Sequence, residues 1–355
     1  MTFGVLIAIS ITQLTLAALL ALFLFAHRAG AERRALQEAD GLVAISAPMR
    51  AWLVGEGSVN DVCQALDRLP GGTARTTALR IGREMLDREA ADQLANALHS
   101  RPWVRAGFAL GNSTFWWRRL DAARLIADLG TIAEEGIVRK LLRDHHPAVR
   151  VAATSCLARI ANPAVIEVVL NELSRQPLVV RGAQMALLKK QWQLTQAALL
   201  PRLNADTPVE SLPDWIGVAE ALETPDVLSR AVLLHAHPEG AVRIAVARAM
   251  KKYFHPDATR VLALLLVDPD WRVRAQAARS VGVLRDMSAI PALMKNLSDA
   301  TWWVRFRSAL ALSQLGDAGR ASLRTATAAE DRFAAQIATM VSGLSEGSVV
   351  ELVEG

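Results

Sequence analysis

Seven histidines and two cysteines are the side chains best suited to holding a metal or starting a nucleophilic attack, and their spacing supports neither. His145 and His146 are adjacent, His235 and His237 flank one residue, and His27, His99 and His255 stand apart. A zinc site needs three or four His, Cys or carboxylate ligands at short recurring spacings, which these pairs lack. They read as surface or helix-capping residues. Cys63 and Cys156 sit far apart in helical patterns and read as buried thiols in a reducing compartment. The sequence holds no glycine-rich phosphate loop, G-x-S-x-G elbow or Ser/His/Asp set. No catalytic residue, cofactor or metal is expected, and the chain reads as a non-enzyme.

The remaining chemistry is ionic. Lys140, Arg143, Arg202, Arg230, Arg260 and Lys295 fall on one recurring set of helical segments. Acidic residues of those segments, among them Glu134, Glu167, Glu172, Asp226 and Asp257, cluster mainly in first turns, where the helix dipole favours them. A basic face is therefore predicted along this helix set, fit for an acidic segment of a protein partner. A solvated helix face is the plainer alternative. The net charge of +5 is diffuse. It suits anionic partners or a membrane surface and falls short of a nucleic-acid footprint, so no nucleic acid is expected. Oligomeric state is left open.

The elements that position these residues recur. Residues 268–284 read DPDWRVRAQAARSVGVL, and 31 positions on, 299–315 read DATWWVRFRSALALSQL. Steps of 31 back from Arg305 meet Arg274, Arg243, Leu212, Arg181, Arg150 and Arg119. Valine precedes the slot at Val149, Val180, Val242, Val273 and Val304. Seven residues after it stand Ile126, Leu157, Leu188, Ala219, Met250, Val281 and Leu312, all apolar. Such a period marks a repeat protein. With a single Tyr and few strand signals, the fold class predicted is all-α, an α-solenoid of two-helix repeats. First helices are predicted to open at the corner aspartates Asp144, Asp206, Asp268 and Asp299. Second helices should open near Thr131, Asn162, Thr195, Thr224, His255 and Ser288. Slot arginines should reach the Asp of a neighbouring corner as a ladder of exposed pairs, each contributing under about 1 kcal/mol.

Residues 1–27 are predicted to form a transmembrane anchor, because 3–26 is a run of 24 residues without a charge. As a helix it would be about 36 Å long, enough to span a bilayer with some tilt. A cleaved signal peptide is the rival reading, but only Met1 and Thr2 precede the apolar run. Arg28, Arg33 and Arg34 follow it, so the positive-inside bias puts the rest of the chain in the cytoplasm, as a single-pass inner-membrane protein. Gln13 is the best candidate to bond a neighbouring transmembrane helix. A juxtamembrane helix or linker (28–41) should end at Asp40-Gly41. A helical cap or diverged repeats (42–112) follow, then the repeat array (113–344) and a short acidic tail (345–355).

The corner D-x-x-W-x-V-R followed by small residues, seen at 268–278 and 299–309, resembles HEAT repeats, and most nearly the short form also found in phycobilin lyases. The resemblance implies a right-handed solenoid with first helices convex and second helices lining the concave side. It is nearly silent on function. HEAT-repeat metal hydroxylases carry His-Glu dipeptides, and this sequence has none. The expected role is a membrane-anchored scaffold that positions a protein partner, such as a polytopic enzyme or transporter of polysaccharide synthesis or secretion. The alternative is a lyase-like or ligand-transfer protein using the concave groove.

Overall fold

A computed structural model of the chain describes residues 39–354 and, before them, 20–22, 25, 28, 32 and 35–37. Among the described residues every regular element is helical. The predicted span at 3–26 falls outside them except at 20–22 and 25, and Gln13 lies outside them. Among the described residues no helix is long and apolar enough to cross a membrane. The chain divides into two compact units, 1–141 and 142–355.

In the first unit α1 covers 39–53. It is followed by α2 (Val59–Asp67), α3 (Gly71–Glu84), α4 (Arg88–Leu98), α5 (Pro102–Ala109), α6 (Trp116–Leu129) and α7 (Glu135–Leu141). The predicted break at Asp40-Gly41 does not occur: α1 runs straight through it. Gly41 serves close approach instead, since a Cβ there would collide with Thr77 of α3. Ser58 opens α2 through a capping box with Asp61, and the Asp87 carboxylate caps α4 by accepting from the Ala90 amide at 2.8 Å. His99, at the end of α4, meets the Glu134 carboxylate at 3.0 Å and so ties α4 to the turn that starts α7. Ile45, Leu66, Ile81, Leu98 and Leu125 are fully enclosed in this unit's core.

The second unit contains α8 (Pro147–Ser155), α9 (Leu157–Ile160), α10 (Pro163–Glu172), α11 (Leu178–Lys190), α12 (Trp192–Leu199), α13 (Leu212–Leu222) and α14 (Pro225–Val232). It continues with α15 (Gly240–Met250), α16 (Pro256–Leu265), α17 (Trp271–Leu284), α18 (Ile290–Asn296), α19 (Trp302–Gln314), α20 (Gly316–Ala326), α21 (Arg332–Ser342) and α22 (Glu346–Glu354). First helices stack in one layer, α8 on α11, then α13, α15, α17, α19 and α21. Second helices form the other, with α10 on α12, α14 on α16 and α18 on α20. The seam between layers is the predicted apolar column: Leu157, Leu188, Ala219, Met250, Val281 and Leu312 are all completely buried. So are the valines before the slot. Burying one such Val or Leu contributes about 1.5–3 kcal/mol, so this seam carries most of the stability.

The corners differ from expectation in two ways. First helices open at Pro147, Leu178, Leu212, Gly240, Trp271, Trp302 and Arg332, later than the corner aspartates. Asp268 and Asp299 instead accept from the amides of Asp270 and Thr301, each at 2.8 Å, closing a turn ahead of the helix. The ladder is also less exposed than predicted. Arg243 grips Asp268 through Nε and Nη2 at 2.7 and 2.9 Å, with side chains only 12% and 6% exposed. Arg274 grips Asp299 with the same two distances. In each, Nη1 donates to the carbonyls five and six residues back in its own corner, so one guanidinium fastens two successive repeats.

The ladder fails where the period slips. α13 starts late, at Leu212, with Asp206 and Pro208 left in the preceding loop. Arg175 stands where the corner Asp of α11 would be, and Arg150 Nε is buried without a partner among the described residues. Arg181 reaches Asp214 at 3.2 Å instead. Among second helices, Asn162, Thr224 and His255 are N-caps as predicted, whereas Thr195 lies inside α12 and Asp286, not Ser288, caps the turn into α18. The predicted tail contains a further helix, α22.

Candidate functional site

The six predicted basic residues do not share one fate. Lys140, in the first unit, is exposed and donates to Asn112 Oδ1 at 2.9 Å. In the second unit Arg143 pairs with Glu172 at 3.1 Å and Arg260 with Asp257 at 3.1 Å, each keeping an exposed side chain. Arg202 is more enclosed than the others. Its side chain is only 19% exposed, lies over the Trp215 ring at 5.7 Å and pairs with Glu167 at 3.3 Å. Cation–π and ionic contacts thus already engage the group. Arg230 and Lys295 alone of the second-unit set are exposed without an ion-pair partner among the described residues.

The capping histidines fit expectation: His146, His237 and His255 accept backbone amides through Nδ1. The corner tryptophans lie at the surface of the repeats. Trp302 stacks on Phe306 of its own helix at 4.8 Å, and Trp271, Trp302 and Trp303 stay partly exposed instead of being sealed between repeats. Both cysteines are buried, and burial pushes the Cys63 thiol up despite the nearby Arg101 charge.

Positive charge collects elsewhere, at the edge where first helices of the second unit end and second helices begin. A groove of about 1180 Å³ is lined there by Lys251, Lys252, Arg279, Arg285, Arg320 and Arg324, and by no carboxylate among the described residues. Its floor is apolar: Leu315, Leu323 and Val341 are buried, while Val283 and Met287 are exposed, Met287 to 62%. Helix ends explain the positions. Lys251 follows α15 as its C-cap and Arg285 follows α17, both at the negative pole of the helix dipole. Arg320 and Arg324 lie along α20, whose start is set by Gly316 at φ +64.

Some of this charge is already answered. Lys251 meets Glu220 at 2.9 Å, Lys252 meets Glu223 at 3.2 Å and Arg320 meets Asp317 at 2.7 Å. Arg285 and Arg324 are exposed without an ion-pair partner among the described residues. Arg285 also holds φ +56, a left-handed turn that glycine would adopt more cheaply. Burial, and then the Arg279 charge, push the Arg307 pKa down. A second cleft of about 490 Å³ has mixed charge, with Asp214, Glu220 and Glu223 facing Arg181, Arg248 and Lys252. Its acids and bases largely satisfy one another.

The sequence analysis did not bring Lys251, Lys252, Arg279, Arg285, Arg320 and Arg324 together as a group. One signal was present: Lys189-Lys190 and Lys251-Lys252 are doublets two repeat periods apart.

Residues 259–341 match the family model for HEAT repeats, and residues 136–162 match a HEAT repeat. No curated protein matches. Among solved structures, YibA of Escherichia coli is 17% identical, covers 74% of this chain and 99% of its own, and has a TM-score of 0.38. An engineered protein is 16% identical, with coverage of 83% and 91% and a TM-score of 0.33. The complex of CpcE and CpcF of phycocyanin lyase from Nostoc is 18% identical, with coverage of 67% and 93% and a TM-score of 0.30. The chain thus carries HEAT repeats, in a protein whose described residues are helical wherever they form regular structure.

Proposed function

We propose that this protein is a non-catalytic scaffold that holds an acidic segment of a protein partner in the groove of its second unit, close to a membrane. HEAT repeats commonly serve as protein-interaction scaffolds. The observation that carries the reading is the groove itself, with six cations around an apolar floor and no lining carboxylate among the described residues. Excess positive charge over exposed apolar surface attracts a segment that alternates acidic and aliphatic residues. The membrane part rests on sequence: the uncharged run at 3–26 and the arginines that follow it. Tethering both scaffold and partner to one bilayer raises their effective concentration, so a modest contact suffices.

The test is site-specific photo-crosslinking in native membranes. A photoreactive amino acid at Met287, on the groove floor, should capture a discrete partner peptide rich in Asp and Glu. The same group at Leu264, exposed on α16, should not. Equal capture from both positions, or none from Met287, refutes the groove as the contact site.

A further inference from the structure

The second unit already contains a helix of the kind the groove should accept. α22 reads EGSVVELVE, three glutamates and four aliphatic residues in nine. It packs against α19, and its Val349 lines the groove. Arg307 Nη1 donates to the Leu352 carbonyl at 2.8 Å, capping the C-terminal turn of α22 with a cation. A nine-residue helix is marginal alone in water, so its helicity depends on this docking. The contact is small, since α19 is the main element it rests on. Such a helix can be displaced by a longer segment of the same chemistry.

We infer that the ligand of the groove is an acidic amphipathic helix of a partner protein, and that α22 occupies one end of the groove in its place until the partner displaces it. The inference rests on the scaffold reading above and adds the partner's chemistry and an internal competitor. An inorganic anion would leave Val283 and Met287 exposed, and a nucleic acid would not need the apolar floor. An acidic helix answers both the rim and the floor.

The experiment titrates a fluorescein-labelled peptide of residues 343–355 into the intact chain and into a chain lacking 345–355, followed by anisotropy. If α22 is docked about nine-tenths of the time, the intact chain should bind about tenfold more weakly than the shortened one. Val349→Asp in the full-length chain should release α22 and match the deletion, which covers a deletion that misfolds. Arg285→Glu with Arg324→Glu in the shortened chain should weaken the peptide by about tenfold or more. Equal affinity for intact and shortened chains, or binding indifferent to the charge reversals, overturns the inference. Displacement of the peptide by phosphatidylglycerol vesicles would assign the groove to lipid headgroups and overturn it as well. If the peptide fails to bind while Met287 still captures an acidic partner, the scaffold reading stands and this inference falls. If both fail, both fall.

Discussion

Replacing Arg274 by Ala tests how the repeats are fastened. Its guanidinium makes four hydrogen bonds: two to Asp299 at 2.7 and 2.9 Å, and two to the carbonyls of Asp268 and Pro269 at 2.8 and 3.1 Å. The paired side chains are 17% and 9% exposed. Removing one partner of a buried pair costs about 3–5 kcal/mol because the other charge is left stranded. Here Asp299 keeps the Thr301 amide at 2.8 Å and the corner is not fully dry. The expected loss is therefore about 2–4 kcal/mol. Arg272 supplies the control, since it meets Asp270 at 2.7 Å with a side chain 61% exposed. Arg272→Ala should shift the urea midpoint far less, because water screens so exposed a pair. Urea unfolding at unchanged slope reads both values, and a double-mutant cycle of Arg274→Ala with Asp299→Ala should return a coupling of about 2 kcal/mol. An Arg274→Ala loss no larger than that of Arg272→Ala would refute the view that these arginines bolt one repeat to the next.

Four further outcomes follow from the same structure. Burial tends to raise the Asp299 pKa, but hydrogen bonds from Arg274 and the Thr301 amide, with the Arg274 and Arg305 charges, hold it below the usual carboxylate range. A depressed folded pKa means its stabilisation is present above about pH 4 and lost as pH falls through the folded value, so Asp299→Asn should flatten the acid limb of urea midpoints. Cys63 and Cys156 are buried and should react with a thiol reagent such as DTNB only on unfolding; immediate labelling in native buffer would contradict their placement. A Cβ on Gly319 would collide with the Leu312 carbonyl at the α19–α20 turn, so Gly319→Ala should lower stability by about 1–3 kcal/mol in urea titration. Arg285→Gly should raise stability by about 0.5–1 kcal/mol by relieving its left-handed backbone, yet weaken capture of the acidic ligand.

The repeat was legible because each period buries the same side chains in the same way. Val273 and Val304, or Val281 and Leu312, recur at one spacing and are all enclosed. The two rungs Arg243–Asp268 and Arg274–Asp299 follow from that register as well. What the register could not convey is depth: Arg202 and Arg230 both look like solvent-facing cations in sequence, yet only Arg202 has a Trp215 ring beneath it. The groove was hidden for a related reason. Lys251, Arg285, Arg320 and Arg324 occupy four different positions relative to their slots, so no single column of the repeat contains them. They meet because helix ends from successive repeats converge along one edge, which is a property of stacking. Gly41 misled through its local propensity: beside Asp40 it reads as a breaker, whereas the close contact with α3 uses its missing side chain inside a helix.

The most direct test is charge reversal followed by co-purification from detergent-extracted membranes. A variant carrying Lys251→Glu, Arg285→Glu and Arg324→Glu should lose its partner by more than about tenfold, while Arg230→Glu with Lys295→Glu should retain it. Retention by the first variant and loss by the second would move the contact to the second-helix face and contradict the groove as the working surface of this protein.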